Sequence, residues 1–215
     1  MAIRCKRDSS GVIVMAVRKM LVALTATLMI ALLCACSIPG SPQKPAAQSE
    51  NGFPMSDMSG YPAFDGYKGE TVFYDLTVKD IEQLMADGES FSFIAAFASC
   101  PWCNLCIVQL NETALAEGAQ VGYLNTRLNP NWKSNIDIDD YDVFVELFGD
   151  YLSEDADGIP HLYTPHVFFI KGGEVVSQHS GTVDDVGSPA KPLTVEQLQE
   201  LDELYSKGFA AIKAP

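Results

Sequence analysis

Basic residues are scarce in this chain, and their scarcity excludes one large class of partner. The 215 residues include 14 Lys and Arg against 28 Asp and Glu, a formal net charge of −14 at pH 7. Residues 1–35 hold five of the basic residues and one of the acidic residues. Residues 36–215 therefore keep 9 basic and 27 acidic side chains, a net charge near −18. A surface this acidic repels the phosphate backbone, so the sequence argues against nucleic-acid binding.

Metal-binding patterns are equally sparse. None of the three histidines has zinc-finger spacing from the single C-x-x-C motif, and no second C-x-x-C follows. The stretch from Asn135 to Glu146 has the spacing of an EF-hand loop, but Asp140 stands where that loop needs glycine. Capping of a following helix by Asp139 or Asp140 explains the same residues more simply. We therefore expect no cofactor and no resident metal. The histidines are His161, His166 and His179.

The apolar run from Leu21 to Leu33 carries no charge, but it is shorter than the roughly 20 residues that a membrane-spanning helix needs. Basic residues precede it, an order typical of a signal peptide. The run ends in Leu33-Cys34-Ala35-Cys36, which resembles a bacterial lipoprotein cleavage box. This resemblance implies that residues 1–35 are a lipoprotein signal peptide and that Cys36 carries a lipid. An uncleaved signal anchor is the alternative.

The next segment, residues 36–65, is rich in Pro, Gly and Ser and poor in aliphatic residues. Such a composition cannot bury a core, so we expect a flexible tether. A lipidated cysteine followed by a tether would hold a folded domain, residues 66–215, at the extracytoplasmic face of the cell membrane. Only Cys100, Cys103 and Cys106 then remain in the folded domain.

The motif Cys100-Pro101-Trp102-Cys103 directly follows an apolar run, residues 91–97, that predicts a strand buried on both faces. A helix beginning at the motif would place Cys100 beside unpaired backbone N–H groups and the positive end of the helix dipole. These favour a thiolate, the attacking species in disulfide exchange. We expect Cys100 to attack and Cys103 to resolve. The alternative is a purely structural disulfide, although a bridge closing so short a loop restrains the unfolded chain little.

Further along the chain, Thr164-Pro165 precedes an apolar strand, a Gly172-Gly173 turn and a second strand. The order strand, C-x-x-C, helix, strand, helix, Thr-Pro strand, hairpin, helix resembles the thioredoxin fold from about Gly66 to the C-terminus. The resemblance implies an α/β domain with a central mixed β-sheet flanked by helices and an insertion before the cis-Pro strand, around residues 129–139. It also implies a cis peptide bond at Pro165 beside the cysteines. The substrate groove would then be formed by Pro101, Trp102, Thr164 and Pro165.

Local patterns predict the remaining elements. Residues 71–76 and 121–125 are predicted strands, and the capping signals at Thr77 and Thr194 predict helices that follow them. The apolar side chains of the predicted helices are Ile81, Leu84 and Met85 in the first, Leu105, Val108 and Leu115 in the helix after Cys100, Tyr141, Phe144, Leu147, Phe148 and Tyr151 in the third, and Leu198, Leu201, Leu204 and Tyr205 in the last.

Two positions bear on the expected chemistry. Ile94 stands six residues before Cys100, where thioredoxins carry a buried aspartate that assists proton transfer. Proton transfer would then need water or His166, although His166 is more simply an exposed or hydrogen-bonded strand residue. Cys106 lies one helical turn beyond Cys103 and is a candidate second resolving thiol or metal ligand. A small buried core residue is the simpler interpretation.

These features predict a membrane-anchored, extracytoplasmic thiol–disulfide oxidoreductase. The same motifs resemble the thioredoxin-like accessory proteins that accompany bacteriocin export in Gram-positive bacteria. The expected partners are the thiols and disulfides of exported clients and an unidentified redox partner. Two alternatives remain open: a non-catalytic binding module at the cell surface with a permanently closed disulfide, and a metal-handling lipoprotein that uses Cys100, Cys103 and Cys106.

Overall fold

A computed structural model describes residues 48–128, 138–184 and 186–215. The predicted signal peptide, Cys36 and the first part of the predicted tether lie outside these residues, as does most of the predicted insertion loop. The strands are β1 (Phe73–Asp75), β2 (Phe91–Ala96), β3 (Val121–Asn125), β4 (Ser153–Glu154), β5 (Pro160–His161), β6 (His166–Lys171) and β7 (Glu174–Ser180). The helices are α1 (Val78–Ala86), α2 (Pro101–Ala116), α3 (Tyr141–Phe148) and α4 (Val195–Lys213).

The central sheet has the strand order β1-β3-β2-β6-β7. The strands β1, β3 and β2 run parallel, whereas β6 is antiparallel to β2 and β7 is antiparallel to β6. Every residue of β2 is buried, as the uniformly apolar run predicted, because the strand is covered on both faces. The predicted thioredoxin-like α/β fold, a mixed sheet flanked by helices, is confirmed.

The two faces of the sheet have separate cores. Helices α2 and α4 cover one face, which we call the disulfide face; its core includes Ile94, Cys100, Cys103, Val167 and Phe169. Helices α1 and α3 cover the other, which we call the aromatic face. Its core includes Phe93, Phe144, Phe148 and Phe168. Because side chains alternate along a strand, neighbouring residues of β2 and of β6 fall in different cores.

Local capping explains where two helices begin. Thr77 and Thr194 each accept a hydrogen bond from the backbone N–H three residues on, and Asp80 and Gln197 return a side-chain acceptor to the cap N–H. Both predicted helix starts are therefore confirmed. The buried stripe of α2 differs from the predicted one, since Leu105 and Val108 are half-buried and Leu115 is exposed. The fully buried apolar residues of α2 are Cys103, Cys106, Ile107, Leu110 and Ala114.

Residues 48–65, the described part of the predicted tether, belong to the same compact unit as the rest of the domain, so the folded unit begins before the predicted boundary at residue 66. Two short 3-10 helices, Met58–Gly60 and Pro62–Phe64, pack against the domain, and Met58 and Tyr61 are buried in the disulfide-face core. The Tyr61 hydroxyl is hydrogen-bonded to the Tyr123 hydroxyl at 3.2 Å. A few aromatic and sulfur side chains are enough to anchor a segment whose average composition favours disorder.

The chain between β3 and β6 carries α3, a 3-10 turn at Gly149–Tyr151 and the β4–β5 hairpin. In the hairpin, the Asp155 carboxylate accepts hydrogen bonds from the backbone N–H groups of Asp157 and Ile159. Asp140 occupies the cap position of α3 in a left-handed conformation (φ 59°), but its side chain does not cap the helix and instead pairs with Lys79 at 3.2 Å. Among the described residues, no helix is both long and apolar enough to cross a bilayer.

Candidate active site

Cys100 and Cys103 form a disulfide at the start of α2, with their Cα atoms 5.2 Å apart. Cys100 is the N-cap residue of the helix, and Pro101 occupies its first turn, where no backbone donor is lost. The Cys103 N–H donates to Cys100 Sγ at 3.1 Å. A backbone donor and the positive helix end are thus directed at the sulfur that the sequence identified as the attacking group.

The loop before β6 closes over this disulfide. The Thr164–Pro165 peptide bond is cis, as predicted. The carbonyl oxygen and the hydroxyl oxygen of Thr164 each lie 3.8 Å from Cys100 Sγ. The predicted packing of the cis-Pro loop against the cysteine pair is therefore confirmed.

The other two predicted groove residues lie within the motif itself. Pro101 is exposed, and Trp102 is half-buried and packs against the disulfide-face core. Tyr163, just before Thr164, is 49% exposed and contacts the His161 ring edge-on, with ring centroids 4.8 Å apart. The two contacting rings of His161 and Tyr163 therefore come directly before the loop that contacts Cys100. The use of any of these residues in substrate binding remains a prediction.

Burial of the two cysteines differs less than expected. Cys100 is 3% exposed and Cys103 is fully buried, so the order is as predicted but both sulfurs lie in the core. In this disulfide form, an attacking thiolate would need access to a sulfur that the surrounding loops largely cover.

Asn104 links three backbone segments around Cys100 and was missed by sequence reasoning. Its side-chain NH2 donates to the carbonyl oxygens of Ala98 and Cys100, both at 2.8 Å. Its Oδ1 accepts from the Ala63 N–H at 2.9 Å. One amide side chain thus ties the loop before α2 to the N-terminal 3-10 helices. Its position directly after the second cysteine was the available signal.

Arg127 also contacts the loop before α2, and sequence reasoning missed it too. Its guanidinium lies over the Phe97 ring, 4.5 Å from the centroid, and Nη1 donates to Ser99 Oγ at 3.2 Å. Its backbone N–H donates to Asn125 Oδ1 at 3.0 Å. The parallel pairing of β2 with β3 indicates this proximity, since the residues following both strands leave the same edge of the sheet.

His166 does not lie with the cysteines, although it directly follows Pro165. Its ring stacks on Phe168 with centroids 4.1 Å apart, which places it toward the aromatic face, and Nε2 is hydrogen-bonded to Gln178 Oε1 at 2.6 Å. Burial lowers the pKa of His166 to about 4. The structure therefore favours a hydrogen-bonded strand residue, and it argues against His166 as the proton relay for the disulfide. Ile94 does face the cysteines, as part of their core.

Cys106 is a free, fully buried thiol on α2. Its Sγ lies 3.5 Å from the Cys103 carbonyl oxygen, and burial raises its pKa to about 12. The Tyr205 hydroxyl is beside it, without a hydrogen bond of ordinary geometry in the described part of the chain. A thiol held protonated in the core cannot supply a thiolate, so the structure favours the core interpretation over a second resolving thiol.

The metal-handling alternative receives no support from this arrangement. Cys100 and Cys103 are joined to each other, and within residues 48–128, 138–184 and 186–215 no group of three or more His, Cys, Asp or Glu residues is placed to hold an ion. The three cysteines therefore do not form a shared ligand set in this state.

Comparison with known proteins gives similarity to solved structures alone, because no family model and no curated protein matches the chain. A proposed oxidoreductase with a thioredoxin fold is 16% identical over 65% of this chain and 96% of its own, with a TM-score of 0.39. Thioredoxins O2 and O1 from Arabidopsis thaliana, both in the oxidised state, are each 15% identical. They cover 63% and 62% of this chain and 96% and 97% of their own lengths, with TM-scores of 0.35 and 0.34. Likeness at this level carries no conclusion about activity.

Proposed function

We propose that this protein is a thiol–disulfide oxidoreductase that acts through Cys100 and Cys103. The observation that carries the proposal is the disulfide at the start of α2, where the Cys103 N–H donates to Cys100 Sγ and the cis-Pro loop lies 3.8 Å away. A helix N-terminus stabilises a thiolate at Cys100 once the bond is reduced. The two cysteines lie at the same helix start with their Cα atoms 5.2 Å apart, so the disulfide can form and break without movement of the helix.

The exchange consists of two displacements at sulfur. In the reducing direction, the Cys100 thiolate attacks one sulfur of a client disulfide, and the other client sulfur leaves as a thiolate. Cys103 then loses its proton and attacks Cys100 Sγ, which forms the Cys100–Cys103 disulfide and releases the second client thiolate. The client gains two electrons, and the reverse sequence oxidises it. An unidentified redox partner would restore the starting state.

The proposed place of action rests on the predicted lipoprotein cleavage box before Cys36. A lipid on Cys36 would hold the domain at the extracytoplasmic face of the cell membrane, where exported clients with thiols or disulfides pass. Because Tyr61 is packed into the domain, fewer residues separate Cys36 from the folded part than the predicted boundary at residue 66 implied. Replacing Cys36 with Ala should release the domain or block processing. Unchanged mass and unchanged membrane partitioning of that variant would contradict the anchor.

The catalytic proposal is tested by disulfide-exchange kinetics with glutathione disulfide and with a reduced, unfolded client. Cys100→Ser should abolish exchange, because it removes the attacking sulfur. Cys103→Ser should accumulate mixed disulfides, which non-reducing gels and mass spectrometry detect. Cys106→Ala serves as the matched control, since it removes a thiol from the same helix. Equal rates for Cys100→Ser and the unmodified chain would overturn the proposal.

The 3% exposure of Cys100 favours a second candidate, a non-catalytic binding module with a permanently closed disulfide. The two functions differ in one measurable respect. If the disulfide resists reduction by excess dithiothreitol while the domain stays folded, the binding module is correct and the oxidoreductase is not.

A further inference from the structure

Arg127 is one of the few positively charged residues in the acidic part of this chain. It is the only arginine after Arg18, and within residues 36–215 acidic side chains outnumber basic ones by 27 to 9. A net negative domain disfavours any further negative charge, including that of a thiolate. A cation on the loop that leads to Cys100 would therefore offset the field of the whole domain at the sulfur that makes the first attack.

The contacts of Arg127 place its charge on the loop that leads to Cys100. The guanidinium covers the ring of Phe97 and donates to the hydroxyl of Ser99, the residue directly before Cys100. The backbone of the same segment continues the sheet, because the Thr126 N–H donates to the Ala96 carbonyl oxygen at 3.0 Å. Arg127 is thus held through both its backbone and its side chain, two residues beyond the end of β3, and β3 pairs with the strand that precedes Cys100.

Four other titratable groups are buried in the core that contains Cys100 and Cys103. They are Cys106 of α2, Tyr61 of the N-terminal segment, Tyr123 of β3 and Tyr205 of α4. Burial raises the pKa of Cys106 and Tyr123 to about 12 and also raises the pKa of Tyr61 and Tyr205. In the described part of the chain, no Asp or Glu is buried.

We propose that Arg127 is a positioning residue that holds the Phe97–Cys100 loop and stabilises Cys100 as a thiolate in the reduced protein. Reduction of the disulfide takes up two electrons and one proton and yields the Cys100 thiolate and the Cys103 thiol. Arg127 favours this product by attraction to the thiolate, beyond what the helix end supplies. Stabilising the reduced form makes the couple more oxidising. The inference rests on the proposed exchange function.

The test compares Arg127→Met with Lys207→Met, which removes one positive charge from an exposed position on α4. Alkylation of Cys100 by iodoacetamide across pH, mapped by mass spectrometry on the reduced full chain, gives the pKa of this thiol. Equilibration with glutathione buffers gives the reduction potential. Neither readout needs a client protein.

Arg127→Met should raise the pKa of Cys100 by about one unit, since a nearby opposite charge lowers a pKa by about one to three units. The equilibrium with glutathione should move about tenfold toward the disulfide, or about 30 mV for this two-electron couple. Lys207→Met should leave both quantities near those of the unmodified chain. Arg127→Gln, which keeps a donor for Ser99 without the charge, should follow Arg127→Met in pKa and provides a second variant if Arg127→Met does not fold.

Two failures can be told apart. If the unmodified chain exchanges disulfides but the Arg127 variants match Lys207→Met in pKa and potential, the role of Arg127 is overturned and the oxidoreductase stands. If Arg127→Gln retains the original pKa while Arg127→Met does not, hydrogen bonding rather than charge is responsible, and the electrostatic role is overturned. Absence of exchange in the unmodified chain removes the proposed function itself.

Discussion

The disulfide face and the aromatic face of the sheet each bury a core of mainly apolar side chains, but the two cores differ in chemistry. The disulfide face places three cysteine sulfur atoms and several tyrosine hydroxyls among aliphatic side chains. The aromatic face is built around phenylalanine rings, with Phe148 and Phe168 centroids 4.7 Å apart and Phe93 and Phe168 centroids 5.0 Å apart. The disulfide proposed to react therefore lies on one side of the sheet and the cluster of phenylalanine rings on the other, so substitutions on the two sides should have separate effects.

The boundary between the two faces runs between adjacent residues. Pro165 lies in the loop against Cys100, and His166, the next residue, stacks on Phe168. Likewise Ile94 belongs to the core of the disulfide face and Phe93 to that of the aromatic face. Alternation along a strand therefore decides which side chains can reach the disulfide, even where the sequence separation is a single residue.

The largest effect that we expect from a change on one face alone is a loss of stability when the aromatic face loses a ring. Phe168→Ala removes a fully buried ring from the centre of the aromatic face and should lower the free energy of unfolding by about 3–5 kcal/mol. The exchange rate per folded molecule should stay unchanged, because no sulfur is touched. Urea unfolding followed by circular dichroism gives the stability, and kinetics at low temperature give the rate.

Phe168→Leu is the control, since it keeps much of the apolar volume and should cost less. If Phe168→Ala loses exchange activity while it stays folded, the two faces are coupled, and the expected independence of exchange from the aromatic face is contradicted.

A second effect should appear with pH on the aromatic face. Burial lowers the pKa of His166 to about 4 in the folded protein, against an ordinary value of 6.5. Between these values the unfolded chain binds the proton and the folded chain does not, so stability is complete above about pH 6.5 and falls as the pH drops toward 4. Because one pKa unit corresponds to about 1.4 kcal/mol, the loss should approach about 3 kcal/mol.

The measurement is urea unfolding from pH 7.5 to pH 4 for the unmodified chain and for His166→Gln. Glutamine does not titrate, so the variant should lose the part of the pH dependence that belongs to His166 and keep the part that belongs to carboxylates. Identical pH profiles for the two proteins would place the acid sensitivity elsewhere.

The sequence indicated the local features well and the long-range ones poorly. The capping boxes at Thr77 and Thr194 depend on groups three residues apart, and the cis bond at Pro165 follows from a short motif in a recognisable order. By contrast, the packing of Tyr61 depends on Tyr123, far along the chain, and composition alone pointed to a tether.

The site shows the same division. The two cysteines and the cis-Pro loop were predicted from motifs. Asn104 and Arg127, by contrast, make hydrogen bonds with residues that only the fold brings near them. Asn104 bonds to Ala63, and Arg127 bonds to Ser99, in each case across a long stretch of sequence. The position of His166 required the strand register, because a shift of one residue would have turned its ring toward the disulfide.

The smallest expected effect concerns Cys106, the third cysteine of the disulfide face, and tests whether it takes part in the exchange proposed for Cys100 and Cys103. Cys106 is fully buried, and its Sγ lies 3.5 Å from the Cys103 carbonyl oxygen. In Cys106→Ser, the hydroxyl can donate to that carbonyl but remains a polar group among apolar neighbours, so stability should fall by about 1–2 kcal/mol. Cys106→Ala removes the polar atom and should cost about 1 kcal/mol from lost apolar burial. Exchange rates should stay within twofold of the unmodified chain in both variants, because burial keeps this thiol protonated. A tenfold loss of exchange with unchanged stability would instead make Cys106 a third redox sulfur, and the disulfide face would then contain a relay rather than a pair.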